Sequence, residues 1–350
     1  ATTVTPGEVR DAHAANPADA LRGQAGVAVQ QTTPGQSTLQ LRGFSGRAVM
    51  HLVDGVRVNS AIFRAGNNPY LGLIDPLGAA DIEIIRGASS VLHGSDALAG
   101  VVAINTPLPA YAAVGEHLRV AAYEAVSSNP LGAITRGSID YAGRNVTAHA
   151  GLTVASLGAI RPGGGLRSPV PASYMGLERA PGAAYAPELS AKQIGTAYDF
   201  FATETSLRVR LGTRSELVLR AQGAALPELV RYDEVTPRFK RDLPAQAEAS
   251  LAPLYRVMTS ATVVHRGGVF DKTLFTASWQ RLGEDPRVRD WDEQNGAELR
   301  PLGDRRREST RSDALTLRAE AQLLGAAASR GVLVGAELLH DLVTSHAERE

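Results

Sequence analysis

Residues 82–106 read IEIIRGASSVLHGSDALAGVVAINT, and this stretch decides the fold of the first third of the chain. Its two apolar runs, Ile82–Ile85 and Val101–Ile104, are rich in β-branched residues and predict two buried strands. Ala88–Leu92, which lies between them, predicts one helical turn before Gly94. Two strands joined through a helical turn indicate a small unit of mixed α and β structure.

Residues 1–81, on the N-terminal side, also predict both helical and strand elements. Asn16-Pro17 precedes Ala18–Leu21 and predicts a helix that the asparagine caps and that begins at the proline. Asp54-Gly55 lies between two apolar runs, the first of them Val49–Val53, and predicts a hairpin because both turn positions tolerate positive φ. These signals place a compact α+β domain at the start of the chain.

The residues after about 108 have a different pattern. Apolar and polar residues alternate in Ala314–Leu323 and again in Thr205–Leu211. A period of two predicts strands with one apolar and one polar face. The polar face carries arginines such as Arg318, and an unpaired buried charge costs several kcal/mol. That face must therefore meet water or a hydrated lumen.

The apolar faces of these strands are compatible with two architectures. In a soluble sandwich they meet a core, whereas in a membrane β-barrel they meet lipid. Two long stretches without regular pattern, Leu157–Ala197 and Asp285–Arg311, predict loops longer than compact soluble domains usually carry. Outer-membrane barrels place such loops on the extracellular side, so the loop lengths favour the barrel.

Composition excludes several classes of function. The chain has 36 basic and 36 acidic residues, and this balance lacks the basic excess typical of a nucleic-acid-binding protein. It has no cysteine, which excludes disulfides, thiolate metal sites and cysteine catalysis. Ser89, His93 and Asp96 are close in sequence, but a catalytic triad is defined by spatial geometry. The sequence thus indicates no enzyme, no catalytic residues, no metal site and no cofactor.

Four blocks occur in a fixed order within residues 1–107. They are Leu39–Phe44, Leu52–Asn59, Ile74–Leu77 and Ile82–Thr106. In this order and spacing they resemble the plug domain of TonB-dependent outer-membrane receptors. Beyond these blocks, Arg231–Glu234 and the strand around Phe275–Leu282 look like segments of receptors in the siderophore, haem and colicin-receptor group. The resemblance assigns these plug-motif positions: Gly43, Asp54, Gly55, Gly87, Gly94, Gly100 and Asn105.

The resemblance implies an α+β plug domain over residues 1–108 and antiparallel transmembrane β-barrel strands over residues 109–350. Family barrels have about 22 strands, a size whose lumen needs a plug. The residues after the plug suffice for roughly ten strands with these loops, so we expect an incomplete barrel. We also expect that the upstream energy-coupling segment, the TonB box, has been cut off. The implied location is the bacterial outer membrane.

The function that the resemblance implies is import of a ferric siderophore or haem-type nutrient by ligand-gated movement of the plug. The implied partners are the TonB energy-coupling protein of the inner membrane, an iron-chelate or haem-type ligand and outer-membrane lipid, with no nucleic acid. Two alternatives stay open. One is a passive outer-membrane binding or adhesion protein without energy coupling, and the other is a receptor for cobalamin, another metal or a glycan.

The resemblance also suggests roles for individual side chains. Arg42 and Arg86, each followed by glycine, match plug arginines that are expected to pair with carboxylates on the barrel wall. Glu320 and Glu337 are the candidate partners because they sit on strand-like runs. Aromatic and arginine side chains suit anionic, partly aromatic iron chelates. The candidate ligand contacts in the apical plug loops are Arg47, Phe63, Arg64 and Tyr70.

Overall fold

The computed structural model describes residues 1–63, 68–161, 195–231, 236–240, 243–293, 299–324 and 331–349. Arg64 and most of the predicted loop Leu157–Ala197 lie outside the described residues. None of the helices in the described part has the length and apolar character needed to cross a membrane.

The N-terminal unit consists of short strands and helices. In chain order they are β1 (Thr2–Val4), α1 (Pro6–Asp11), α2 (Pro17–Leu21), β2 (Val27–Thr33), β3 (Gln36–Leu41), β4 (Val49–Val53), β5 (Val56–Arg57), β6 (Asp81–Arg86), α3 (Ser90–His93) and β7 (Gly100–Asn105), with 3₁₀ turns at Gly46–Ala48 and Tyr70–Leu73.

The predicted helix and hairpin of this unit are confirmed. The Asn16 side chain accepts a hydrogen bond from the Ala18 amide at 3.0 Å and caps α2, which begins at Pro17. Asp54 and Gly55 both have positive φ, 51° and 80°, in the turn between β4 and β5. Local sequence therefore fixes both elements through side-chain capping and backbone conformation.

A five-stranded sheet organises the described part of the N-terminal unit, in the order β1-β6-β7-β4-β5. β4 and β7 pair in parallel, and the other neighbours are antiparallel. Apolar residues of β4, β6 and β7 form its core together with Leu21, Leu39 and Leu41, among them Val49, Ile82 and Val102. The two-stranded sheet β2-β3 packs beside it.

The remainder of the described chain forms one antiparallel sheet of long strands, here called the large sheet. Its strands are β8 (His117–Ser128), β9 (Leu131–Ala142), β10 (Val146–Leu157), β11 (Tyr198–Arg210), β12 (Ser215–Leu226), β13 (Leu229–Val230), β14 (Thr236–Lys240), β15 (Leu243–Arg266), β16 (Lys272–Glu293), β17 (Leu299–Leu324) and β18 (Gly331–Arg349).

The prediction of a loop over Asp285–Arg311 is wrong. β16 continues to Glu293 and β17 starts at Leu299, with cross-strand pairs such as Arg287 with Arg307. Backbone hydrogen bonds hold this pairing, and they require no alternation of apolar side chains. Polar composition therefore concealed two long strands that extend past the apolar part of the sheet.

The orientation of the alternating faces decides between the sandwich and the barrel. Leu315 and Leu317 are 54% and 47% exposed, whereas Thr316 between them is only 7% exposed. The inner face, which contacts the N-terminal unit, carries the polar residues, and the outer face carries the apolar ones. This arrangement is the reverse of a soluble sandwich and is typical of a barrel wall in lipid.

We predict that Gly100→Ala destabilises the N-terminal unit. Gly100 has φ of 152°, and a Cβ there would lie 2.2 Å from the Ile85 carbonyl oxygen, so β6 and β7 would have to separate. A cost of about 2 kcal/mol or more is expected. Hydrogen exchange at the β6 and β7 amides measures it. Gly7→Ala, whose Cβ would have ordinary contacts, is the control, and equal exchange in both variants would contradict the packing argument.

Candidate functional site

The N-terminal unit contacts the inner face of the large sheet through a buried cluster around Asp75. An Asp75 carboxylate oxygen accepts hydrogen bonds from Arg136 at 3.0 Å and from the Thr153 hydroxyl at 2.5 Å. Arg136 also pairs with Glu204, and all three charged side chains are less than 10% exposed. A single guanidinium group thus joins one carboxylate of each unit.

In the Asp75 cluster, the two carboxylates of Asp75 and Glu204 share the single guanidinium group of Arg136. Burial raises the pKa of the Asp75 carboxyl, and the nearby Arg136 and Thr153 oppose that shift. His149 adds to the cluster on the sheet side, with its ring nitrogens 3.1 Å from Glu204 and 2.6 Å from Asp140. Removing the guanidinium would leave two carboxylates buried together without a compensating arginine.

A second contact is made by Asp54, the residue of the hairpin turn. Its carboxylate accepts hydrogen bonds from the backbone amide and the hydroxyl of Thr106, at 2.9 and 2.7 Å. It also accepts one from Gln222 of the inner face at 2.6 Å and lies 3.3 Å from the Arg220 guanidinium. The same side chain therefore stabilises its own turn and fastens it to β12.

The third contact involves Arg57, which lies in β5, the second strand of the hairpin. Its guanidinium donates to the carbonyl oxygens of His93 and Ser95 at 2.9 Å and lies 3.2 Å from the Glu337 carboxylate. Nearby, the Ala61 amide donates to Asp341 at 2.5 Å. Arg57 thus orders the α3 segment and reaches β18, a role that no local sequence signal indicates.

An apolar cluster completes the contact. It lies at the end of the sheet opposite the short turns that connect β9 with β10 and β11 with β12. Phe63 and Tyr70 pack with their ring centroids 5.2 Å apart, against side chains of β10, β11, β12, β15 and β16. Tyr70 is completely buried, and its hydroxyl lies 3.1 Å from Glu284. Within the described residues there is no group of three or more His, Cys, Asp or Glu side chains that could hold a metal ion.

Comparison with known proteins identifies the N-terminal unit. Residues 1–101 match the family model described as the TonB-dependent Receptor Plug Domain. Residues 1–101 form a TonB-dependent receptor plug domain. A Vitamin B12 transporter BtuB of Vibrio vulnificus is 38% identical over 107 residues, 30% of this chain and 17% of that protein. A Hemin receptor of Yersinia pestis is 40% identical over 95 residues, 27% of this chain and 13% of that protein.

The large sheet also has the fold of this family. The solved structure of the Copper transporter OprC superposes on 95% of this chain with a TM-score of 0.67 and 12% identity, and 44% of that protein is covered. The chain therefore spans less than half the length of that transporter and combines a plug with barrel strands. Its place is the bacterial outer membrane.

Among the described residues, the two arginines and the two glutamates that were expected to hold plug and barrel together do not pair with one another. Glu337 contacts the plug, but through Arg57. Glu320 pairs with Arg318 of its own strand. Arg86 donates to the Thr2 hydroxyl at 2.7 Å, and no ion pair joins it or Arg42 to a carboxylate among the described residues. Pairing of these two arginines with the barrel stays a prediction.

The predicted ligand contacts are also placed differently from one another. Arg47 is exposed and donates to the carbonyl oxygens of Ala61 and Phe63 at 2.8 and 3.0 Å, so it orders the apical loop. Phe63 and Tyr70 are both buried against the barrel, and contact of these two side chains with a ligand stays a prediction.

The residues at the plug-motif positions mainly determine the conformation and pairing of the backbone. Asn105 donates to Asp81 at 2.7 Å and joins the ends of β6 and β7. The motif glycines all have positive φ, which explains why glycine stands at each: Gly43, Gly55, Gly87, Gly94 and Gly100. Asp96, which the sequence placed near Ser89 and His93, pairs with Arg57 at 3.3 Å.

We predict that Arg136→Gln loosens the plug. Losing the cation between Asp75 and Glu204 should cost about 3–5 kcal/mol, as expected for one broken partner of a buried ion pair. Hydrogen exchange of residues 68–79 in the membrane-embedded chain should become faster.

The matched control for this variant is Arg281→Gln. Arg281 pairs with Asp313 on the barrel and is 41% exposed, so solvent screens the pair and its loss should leave the exchange of residues 68–79 unchanged. If the amides of residues 68–79 exchanged equally fast in the two variants, the cluster around Asp75 would not anchor the plug.

We predict that the plug loses stability as the pH falls from about 6.5 towards 4. Burial lowers the pKa of His51 from 6.5 to about 4. Between these pH values the His51 side chain is protonated in the unfolded plug but neutral in the folded plug, so acid favours unfolding. The loss should approach about 3 kcal/mol at pH 4. Hydrogen exchange at the β4 amides as a function of pH measures it.

His51→Gln, which cannot titrate here, should remove this component of the pH dependence. His13→Gln is the control because His13 is exposed. A wild-type plug whose protection is the same at pH 6.5 and pH 4 would contradict the prediction.

Proposed function

We propose that the chain is part of a receptor that imports a metal-chelate nutrient, a ferric siderophore or haem, across the outer membrane. The observation that carries the proposal is the placement of a plug against the polar inner face of a sheet whose outer face is apolar. A sheet of this kind encloses a hydrated path through lipid, and the plug closes it. Import then requires that the plug move.

Three features support a metal-chelate ligand. The names of the relatives above refer to vitamin B12, hemin and copper, each of which is a metal or contains one. Arg47 is exposed at the apical loop, where its position suits an anionic chelate. The plug and barrel carry arginine in preference to lysine, and guanidinium groups bind carboxylates and stack on aromatic rings. A receptor for cobalamin, another metal or a glycan is the alternative within the same family.

The contacts of the plug support gating by ligand. Asp75, Asp54 and Arg57 are among the residues whose polar contacts join the plug to the barrel, and each couples a plug side chain to a side chain of a barrel strand. Arg47 orders the loop that contains Phe63, which packs directly on Tyr70 and the barrel. A ligand that displaces Arg47 would alter this packing and weaken the hold of the barrel on the plug.

This function assigns residues 1–108 to the plug and residues 109–350 to the barrel wall with its extracellular loops. Arg42 and Arg86 would add to the polar contacts by pairing with barrel carboxylates. TonB supplies the energy for plug movement, and the outer-membrane lipid surrounds the apolar outer face. No covalent chemistry and no cofactor are needed for any of these steps.

We predict TonB-dependent uptake by cells that carry the full-length gene. Under nutrient limitation, uptake of radiolabelled ferric siderophore or haem should be saturable and should be abolished in a strain without TonB. Arg47→Ala should raise the ligand concentration for half-maximal uptake about tenfold, because it removes one charge-assisted hydrogen bond to the ligand. Arg22→Ala, which replaces an exposed arginine in the same domain, is the control.

Other outcomes of the uptake experiment would change the ligand or the function that is proposed for the receptor. Uptake of cobalamin or copper alone would establish an importer with another ligand. Saturable surface binding without uptake, unchanged by removal of TonB, would overturn import and leave a passive binding or adhesion protein.

A further inference from the structure

A cavity of about 720 Å³ lies at the end of the barrel where the short turns are, opposite the apical loop of the plug. Its lining comes from the turns that connect β9 with β10 and β11 with β12, from the adjoining ends of β11, β12 and β15, and from Tyr111. Five arginines line it together with a single carboxylate, Glu216: they are Arg144, Arg208, Arg210, Arg214 and Arg266.

The one carboxylate in this cavity is already shared. One oxygen of Glu216 accepts from Arg208 at 2.8 Å, and the other accepts from Arg266 at 2.9 Å. Five positive charges and one negative charge leave an excess of four. Among the described residues, no carboxylate pairs with Arg144, Arg210 or Arg214. Guanidinium groups crowded in this way repel one another and attract anions.

Tyr111 fixes two of the arginines. The guanidinium carbons of Arg208 and Arg210 lie 4.7 and 4.3 Å from the centre of the Tyr111 ring. Stacking of this kind fixes the plane of a guanidinium group and leaves its edge N–H groups free to donate. Arg210 therefore presents oriented donors to the cavity.

Backbone hydrogen bonds hold the turns beside one another. The Arg210 amide donates to the Asn145 carbonyl oxygen, and the Arg266 amide donates to the Arg214 carbonyl oxygen, both at 2.8 Å. The arginines thus stand on a preformed rim, so binding would not carry the entropic cost of ordering separate loops.

We propose that this cavity binds a soluble anion with more than one phosphate group. Planar guanidinium groups match phosphate oxygens in bidentate pairs, and an excess of four charges favours a multivalent anion over a single carboxylate. Arg208 and Arg210 alternate with Leu207, which is on the lipid-facing side, so they face the inside of the barrel and away from lipid headgroups. The site is separate from ligand binding at the apical loop.

The test uses the full chain in detergent micelles and inorganic pyrophosphate as the probe, with binding followed by calorimetry. The expected result is saturable binding that weakens about a hundredfold in the double variant Arg210→Gln with Arg214→Gln, about tenfold for each guanidinium group removed. Arg119→Gln, which replaces an exposed arginine on β8 outside the cavity, should bind as the wild type does.

Arginine labelling of the wild-type chain with phenylglyoxal gives a second measurement that does not depend on a folded variant. Pyrophosphate should protect Arg144, Arg210 and Arg214 from labelling and leave Arg119 unprotected. Absence of saturable binding, or equal binding by the double variant, would overturn the proposal. Protection by phosphatidylglycerol vesicles but not by pyrophosphate would also overturn it, since the site would then be a lipid contact.

Discussion

The architecture depends on where the polar faces of the long strands are placed. Each of these strands alternates apolar and polar residues, and a polar face with arginines cannot enter a dry core. Leu317 is largely exposed while Thr316 is buried, so the polar side faces inward. An inner face of this kind needs water or polar partners, and the plug supplies the partners. Side chains of the plug and of the barrel therefore complete hydrogen bonds of each other, as Asp75 does with Arg136 and Asp54 with Gln222.

The contact between plug and barrel combines two kinds of interaction with different consequences. The apolar cluster around Phe63 and Tyr70 stabilises the closed arrangement without directional preference. The clusters around Asp75 and Asp54 fix the position and angle of the plug, since their hydrogen bonds hold only in one geometry. Buried ion pairs add little net stability relative to apolar packing, yet the removal of one partner is costly. Such an interface is held firmly but can be released by a change at one of its members.

Sequence patterns were sufficient for local elements and insufficient for contacts between distant ones. Asn16 caps its helix, and Asp54-Gly55 makes its turn, because the decisive atoms lie within a few residues. The polar stretch Asp285–Arg311 resembles a loop in composition, yet its two strands pair through backbone groups, which composition does not reveal. Arg57 was missed since nothing near it in sequence distinguishes it from other arginines. Its partner Glu337 lies 280 residues away.

The sequence by itself determined the α and β elements of the N-terminal unit, the alternation of the long strands and the absence of cysteine chemistry. These depend on residue type, local spacing and backbone preference, which are present in any conformation of the chain. Only the tertiary structure decided that the apolar faces point outward, that Asp75 meets Arg136 and that the arginines near Tyr111 share one cavity. Each of those facts depends on strand register and on packing between segments far apart in sequence, and pairwise distances of that kind exist only once the chain has folded.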